Sequence, residues 1–263
     1  MRIAIIGAGQ IAEAHLTELA KIPDVQVVGL CDLYETPLVA LSDKYHIPRT
    51  FTDAKTMVSE VRPDVVHVTT PPGSHAALGR MLIDAGCNIH MEKPFTITHA
   101  ETEELIGLAE KKGVKLCINT NRVCSLEYIE ALSHIRAGDV GNIAHMDVVF
   151  SYNLKGPFGK QVTSNPNHWI ARLPGQIVQN NLSHCLSFVV PHLGDDLDVS
   201  VWSADFSGNG IVQDELRLLI VDKTGKRTAS VTFSCGIGPV TFTLRVFGTR
   251  RNITVDNINH TFA

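Results

Sequence analysis

The chain has 263 residues, of which 44% are hydrophobic and 19% are charged, and its formal net charge is −4. This composition is ordinary for a globular protein with one large domain or two modest ones. The slightly acidic balance provides no basic face for nucleic acid, and no apolar run approaches the ~18 residues that span a bilayer. Six scattered cysteines without a C-x-x-C pair, and an N-terminus without a signal-peptide pattern, favour the cytoplasm.

The first 120 residues alternate between apolar runs and amphipathic segments. Strands are predicted at residues 3–6, 25–31, 65–69, 88–91 and 115–118. Helices are predicted at residues 10–21, 36–45, 53–61, 74–85 and 98–112. Continuous apolar strands alternating with amphipathic helices predict an α/β domain with a doubly wound parallel sheet, covered on both faces.

The pattern changes after Thr120, where we place a boundary between domains at residues 1–120 and 121–263. One more helix is predicted at 126–137. Strands are then predicted at residues 143–150, 199–204, 215–221, 229–234, 240–247 and 253–255. Short turns between them, such as the one at residues 222–225, predict a large open sheet that is mainly antiparallel or mixed. The chain stops soon after a strand, so we expect the C-terminal domain to be incomplete.

A glycine-rich turn, Gly-Ala-Gly-Gln-Ile-Ala at residues 7–12, joins the first strand to the first helix. Gly7 permits the tight turn, and Gly9 lets the backbone approach a pyrophosphate. Gln10 and Ile11 open a helix whose N–H groups and positive dipole end attract phosphate. The pattern predicts a dinucleotide site, although glycine turns without a ligand have the same form.

Asp32 follows the second strand, about 25 residues after Gly7 and close to the ~20-residue spacing of a ribose-binding carboxylate. A carboxylate there accepts hydrogen bonds from the ribose hydroxyls and repels a 2′-phosphate. The next residues, 33–35, contain no Arg or Lys, so NAD is favoured over NADP. Alternatively, Asp32 only caps the following turn.

Two further loops follow strands of the same predicted sheet, at the carboxyl edge where α/β sheets bind ligands. Thr70 and Pro71 are predicted cofactor contacts, while His75 could face the cofactor or decorate the first helical turn. Glu92 and Lys93 follow the next strand and are also predicted cofactor contacts. Near an oxidised nicotinamide the pKa of Lys93 would fall towards neutrality, where the amine can accept or donate a proton. Alternatively, these two residues form a surface ion pair.

Taken in order, these motifs resemble the Gfo/Idh/MocA family, named for glucose–fructose oxidoreductase and inositol dehydrogenase. The resemblance includes the glycine turn, the aspartate, Thr-Pro-Pro-x-x-His, Glu-Lys-Pro and Asn121-Arg122, and extends to residue 249. It implies an N-terminal Rossmann domain and a C-terminal α/β domain for substrate binding and oligomerisation. It also implies redox chemistry on sugars, cyclitols or sugar derivatives, with Asn121 among the cofactor contacts.

The family's second active-site motif corresponds to residues 174–184, where Asn180 replaces the usual aspartate and His184 follows four residues later. This spacing places both side chains on one helical face. The resemblance implies that Lys93 accepts the hydroxyl proton, directly or through His184, while Asn180 orients the substrate. Asparagine cannot take a proton, and a plain core histidine remains the alternative for His184.

Other polar residues are candidates for substrate contacts, alongside Lys93, Asn180 and His184. They are Arg122, Asn153, Lys155, His168, Trp169 and Arg172. The twelve histidines show no metal-ligand spacing, so we expect no metal. An open sheet needs covering, which predicts a homodimer or homotetramer.

The sequence therefore predicts an NAD-dependent oxidoreductase that transfers hydride to or from a hydroxyl or carbonyl of a small sugar-like substrate. Two other hypotheses stay open. One is an NAD-binding sensor or regulatory protein without redox turnover, which Asn180 favours. The other is a hydrolase or lyase with tightly held NAD.

Overall fold

A computed structural model describes residues 1–206, 208 and 213–263. The chain divides into two compact units, Met1–Asn119 and Thr120–Ala263. Each unit has its own sheet and its own hydrophobic core.

The first unit alternates strands and helices along the chain. Its elements are β1 (Arg2–Ile6), α1 (Gln10–Leu19), β2 (Gln26–Cys31), α2 (Glu35–Tyr45), β3 (Thr50–Phe51), α3 (Ala54–Val61), β4 (Val65–Val68), α4 (His75–Asp84), β5 (Asn88–Met91), α5 (His99–Lys112) and β6 (Leu116–Ile118). The six strands run parallel in the order β3-β2-β1-β4-β5-β6. This arrangement confirms the predicted doubly wound sheet, and the order reverses beside β1, where such sheets bind their ligands.

Both faces of this sheet are covered because successive strand residues point to opposite sides. Ile3 and Ile5 of β1 belong to the apolar cluster that includes Leu16 of α1. Ala4 and Ile6 belong to a second cluster, which includes residues of α3, α4 and α5. The two clusters fix α1 against one face and leave the carboxyl ends of β1, β2, β4 and β5 at a common edge.

The second unit is built on a longer sheet. Its elements are α6 (Leu126–Arg136), β7 (Ile143–Ser151), α7 (Pro157–Ser164), α8 (Gln176–Leu193), β8 (Leu197–Ala204), β9 (Glu215–Asp222), β10 (Thr228–Ser234), β11 (Phe242–Gly248), β12 (Asn252–Asp256) and β13 (Thr261–Phe262). The strand order is β13-β12-β11-β7-β10-β9-β8, with β7 and β10 parallel and the other pairs antiparallel. The predicted mixed sheet is confirmed.

Helix α8 packs on β7, β9 and β10. Its buried residues Cys185, Phe188 and Val189 share one cluster with Phe150 and Phe242 of the sheet. The predicted Asn180–His184 stretch lies on this packed helix of the second unit. Within the described residues, every helix is too short or too polar to cross a membrane.

Candidate functional site

The turn between β1 and α1 has two glycines with different physical requirements. Gly7 has φ +102°, and an added Cβ would lie 2.9 Å from Thr69 Oγ1 and 3.0 Å from Thr70 N. Its N–H donates to Cys31 O at 2.7 Å, which ties the turn to β2. A side chain at position 7 would therefore meet both a disfavoured backbone conformation and a close contact.

Gly9 is the N-cap residue of α1 and has an ordinary extended φ of −85°. Among the residues that the structure describes, an added Cβ there would meet nothing within 4 Å, and no side chain caps the helix. Gln10 and Ile11 are exposed in the first turn. An uncapped helix N-terminus beside open space fits a bound pyrophosphate, which would accept hydrogen bonds from the first N–H groups.

Asp32 is held close to this turn by backbone hydrogen bonds. Its Oδ2 accepts from Ala8 N at 2.7 Å, and its Oδ1 accepts from Tyr34 N at 3.0 Å. The second contact is the local turn cap that was the alternative interpretation. Each carboxylate oxygen has a further lone pair, so Asp32 can also accept from a ribose hydroxyl. The residues present therefore fit a dinucleotide.

His75 is fully buried at the start of α4 and joins two loops. Its Nε2 lies 2.7 Å from Thr70 O, and its Nδ1 lies 3.0 Å from Pro94 O and 3.1 Å from Phe95 O. Burial lowers the pKa of its imidazole, although the three carbonyl oxygens act in the opposite direction. The suggestion that His75 decorates the helix surface is therefore wrong, because the ring connects the loop after β4 to the segment after Lys93.

Glu92 is buried directly after β5. Its Oε1 accepts from His15 Nε2 at 3.0 Å and from the Asn119 amide, and its Oε2 accepts from Lys93 N at 3.2 Å. Burial opposes ionisation, but the bonds from His15 and Asn119 outweigh it and lower the pKa of Glu92. The alternative of a surface ion pair is therefore wrong, because this carboxylate is anchored inside the first unit.

Lys93 is half-buried beside this anchored carboxylate. Burial lowers the pKa of its amine, while the charge of Glu92 acts in the opposite direction. A lowered pKa lets an amine act as an acid or base nearer neutral pH. The direction is the one that the sequence interpretation requires, and the catalytic role of Lys93 stays a prediction.

Three imidazoles lie beside Glu92. His15 of α1, His67 of β4 and His90 of β5 each offer one ring nitrogen within 4.8 Å of the others. Burial lowers the pKa of His67 to about 3 and also lowers that of His90. Sequence reasoning missed this group because its members lie on three elements. The structure brings two of them together through the strand register, in which His67 is paired with His90.

In the second unit, Asn180 and His184 are both buried on α8. The His184 ring packs edge-on against Phe150, with centroids 6.3 Å apart. The turn before the helix is closed by Gln179, whose Oε1 accepts from Gly175 N at 2.9 Å. The predicted helical spacing is confirmed, and the chemical roles of Asn180 and His184 stay predictions.

Two of the predicted substrate contacts have structural partners of their own. Arg122 donates to Asn257 Oδ1 at 2.8 Å and lies over the Phe242 ring, 5.5 Å from its centroid. His168 stacks on Trp169 and accepts from the N–H of the residue two positions later at 3.3 Å. Each contact stabilises the second unit whether or not a substrate binds.

The remaining candidates lie at its surface or beside a loop. Asn121 and Arg172 are exposed in short 3-10 helices. Asn153 is exposed, and its Oδ1 accepts from Lys155 N at 2.9 Å. These positions are accessible, and their cofactor and substrate roles stay predictions.

A parallel α/β sheet with an open glycine turn and a ribose-type carboxylate defines a dinucleotide-binding class of protein. Residues 1–120 match the family model GFO_IDH_MocA, described as an oxidoreductase family with an NAD-binding Rossmann fold. The first unit is thus similar to the Gfo/Idh/MocA family, as the motifs of the sequence predicted.

Two curated relatives are named as a dehydrogenase and as a glycosyl hydrolase family protein. The chain is 31% identical over 144 residues to D-glucoside 3-dehydrogenase of Escherichia coli K12, covering 54% of this chain and 41% of that enzyme. It is 26% identical over 178 residues to Glycosyl hydrolase family 109 protein 1 of Akkermansia muciniphila, covering 64% of this chain and 37% of that protein. The chain thus spans about two fifths of the length of these curated relatives.

A solved structure of similar fold is an oxidoreductase from Agrobacterium radiobacter in complex with NAD+, L-tartaric acid and magnesium. It aligns with a TM-score of 0.86 at 18% identity, covering 97% of this chain and 74% of that chain. This likeness confirms the fold of the chain.

Proposed function

We propose that this chain is the core of an NAD-dependent oxidoreductase acting on a hydroxyl or carbonyl of a sugar, cyclitol or sugar derivative. The observation that carries the proposal is Lys93, a half-buried amine with a lowered pKa. It follows β5 at the sheet edge that also carries the open Gly9 turn and Asp32. An amine, a pyrophosphate site and a ribose site on one edge match the parts that hydride chemistry needs.

Each residue of this edge has a distinct task in the proposed reaction. Gly9 and the N-terminus of α1 bind the pyrophosphate, and Asp32 accepts from the adenosine ribose. In the oxidising direction, Lys93 accepts the hydroxyl proton as the C–H bond breaks. Bound NAD supplies the acceptor for the hydride. The anchored Glu92 holds the Lys93 backbone in place, which limits the reorganisation that the proton transfer requires.

The tasks proposed for α8 follow from side-chain chemistry. Asn180 orients a substrate hydroxyl through its amide, and His184 relays a proton. Both side chains are buried on α8, and the packing of this helix against the sheet already defines their positions. Asn121, Thr70 and Pro71 are kept as cofactor contacts, and the accessible polar residues of the second unit as substrate contacts.

We further propose that the protein is cytoplasmic and forms a homodimer or homotetramer through its second unit. Free cysteines, three of them buried, suit a reducing compartment.

Trp202 on the edge strand β8 is 54% exposed, and Leu219 on β9 is also exposed. Covering these side chains by a second copy would remove apolar surface from water.

NADH fluorescence tests the proposal during a screen of polyols, sugars and sugar nucleotides. We expect NAD binding and net NADH formation with at least one substrate class. Lys93→Met should remove most turnover while NAD affinity stays within about twofold, and Lys111→Met on the exposed side of α5 serves as the matched control.

Three outcomes would contradict the proposal. If Lys93→Met turned over substrate as fast as the parent, Lys93 would not be the proton acceptor. Tight NAD binding without turnover in any class would favour a sensor, and glycoside cleavage without net NADH would favour a hydrolase.

A further inference from the structure

Three histidines form a compact group on one face of the first sheet. His67 and His90 are paired in register on the neighbouring strands β4 and β5, and His15 reaches them from α1. The His67 ring stands edge-on to both others, with centroids 5.1 Å from His15 and 4.6 Å from His90. The His15 and His90 rings are stacked at 5.4 Å. We refer to these three residues as the histidine cluster.

Glu92 fixes the orientation of one ring in this cluster. A carboxylate only accepts hydrogen bonds, so the proton between His15 Nε2 and Glu92 Oε1, 3.0 Å apart, belongs to His15. In a neutral imidazole the other nitrogen, Nδ1, then carries a lone pair. That atom faces His67 Nδ1 at 2.9 Å. A histidine that donates to a carboxylate and presents its second nitrogen inward is the usual arrangement of a metal-bound histidine.

His90 is not explained by hydrogen bonding within the cluster. His15 and His67 satisfy each other through their Nδ1 atoms. Among the residues that the structure describes, His90 makes ring contacts with both but no side-chain hydrogen bond. A ligand shared by all three ring nitrogens would explain why a third imidazole lies beside the hydrogen-bonded pair.

We propose that His15, His67 and His90 bind one divalent cation of the Zn²⁺ type, with Glu92 as the carboxylate that orients His15. Imidazole nitrogen suits Zn²⁺, and three such ligands leave a fourth position for water. Zn–N bonds of about 2.0–2.1 Å place the ligand nitrogens roughly 3.4 Å apart in a tetrahedral site. The nitrogens of the cluster, within 4.8 Å of one another, come into range by small side-chain rotations. His67 keeps its neutral form by moving its proton from Nδ1 to Nε2.

The site would tie α1 to β4 and β5 and would hold Glu92 through His15. It lies within the first unit. Binding energy that is absent in the unfolded chain adds directly to the stability of this unit.

Zinc titration of the untagged, chelator-treated full chain tests the proposal, with a competing chelator and calorimetric detection. We expect one equivalent to bind. His90→Asn, at the most accessible member of the cluster, should weaken Zn²⁺ affinity at least 100-fold, and Glu92→Gln should weaken it about 10–100-fold. His99→Asn, exposed at the start of α5, should leave the affinity unchanged. Circular dichroism and the melting temperature of the metal-free chain check that each variant is folded.

Anomalous scattering at the zinc edge gives a reading that needs no variant. Crystals grown with Zn²⁺ should show one peak among the three rings. The absence of Zn²⁺ binding, equal affinity in His90→Asn, or a peak elsewhere in the chain would each overturn the proposal.

Discussion

Replacing the two glycines of the β1–α1 turn one at a time should separate folding from cofactor binding. Gly7→Ala places a side chain at φ +102° and its Cβ 3.0 Å from Thr70 N. The backbone conformation costs about 1–2 kcal/mol and the close contacts about 1–3 kcal/mol, so the loss of stability is about 2–5 kcal/mol. At roughly 4 °C per kcal/mol for a unit of this size, the melting temperature should fall by about 8–20 °C.

Gly9→Ala is the matched control for folding and the perturbation for binding. Its φ of −85° suits alanine, and the added Cβ meets no atom of the described part of the chain within 4 Å. We expect a loss of stability of no more than about 1 kcal/mol, because alanine is a poorer N-cap than glycine but the position is otherwise unstrained. The same methyl group occupies the space that a pyrophosphate needs, so NAD affinity should fall at least tenfold, or about 1.4 kcal/mol.

Differential scanning calorimetry and NADH fluorescence titration measure the two effects on the same samples. Calorimetry should separate Gly7→Ala from the parent, and the titration should separate Gly9→Ala. Unchanged NADH affinity in Gly9→Ala would refute the placement of the pyrophosphate. An unchanged melting temperature in Gly7→Ala would refute the steric argument.

Asp32→Ala should weaken NAD binding at least tenfold and reduce the preference for NAD over NADP; a preference that stays the same would contradict the ribose assignment. Burial holds the pKa of His67 at about 3, against about 6.5 when unfolded. The unfolded metal-free chain therefore binds this proton first as the pH falls. Stability from this group should decline between pH 6.5 and 3 by up to about 1.4 kcal/mol per pH unit. In His67→Leu, the free energy of unfolding measured with urea should depend less steeply on pH than in the parent. An equally steep pH dependence would be inconsistent with this shift. Trp202→Glu should convert the proposed dimer to a smaller species in sedimentation velocity, whereas an unaltered mass would place the interface elsewhere.

Local patterns were sufficient to predict the first sheet and its binding edge. Apolar runs between helix signals located β5 at residues 88–91, and the helix predicted at residues 98–112 forms as α5, with a capping box between Thr98 and Glu101. The glycine turn and Asp32 were recognisable because their function depends on sequence spacing. Such features are determined by neighbours along the chain.

Other features depend on contacts that local patterns do not encode. Helix α7 begins with Pro157 and contains Gly159, a composition that does not indicate a helix. The structure shows why glycine suits that position: an added Cβ would collide with the backbone of Leu154. The burial of His75 and the partners of Glu92 likewise arise from distant elements. The histidine cluster could not be recognised before the β4–β5 register was known.

The proposed chemistry requires the Lys93 amine to lie beside the nicotinamide of bound NAD. Nitrogen-15 NMR of the side-chain amine, assigned with Lys93→Arg, measures its pKa with and without the cofactor. We expect a pKa below the ordinary 10.5 in the free protein. We also expect a further fall on addition of NAD+, because the oxidised ring is positively charged. A pKa at or above 10.5 that NAD+ leaves unchanged would contradict the proposed chemistry.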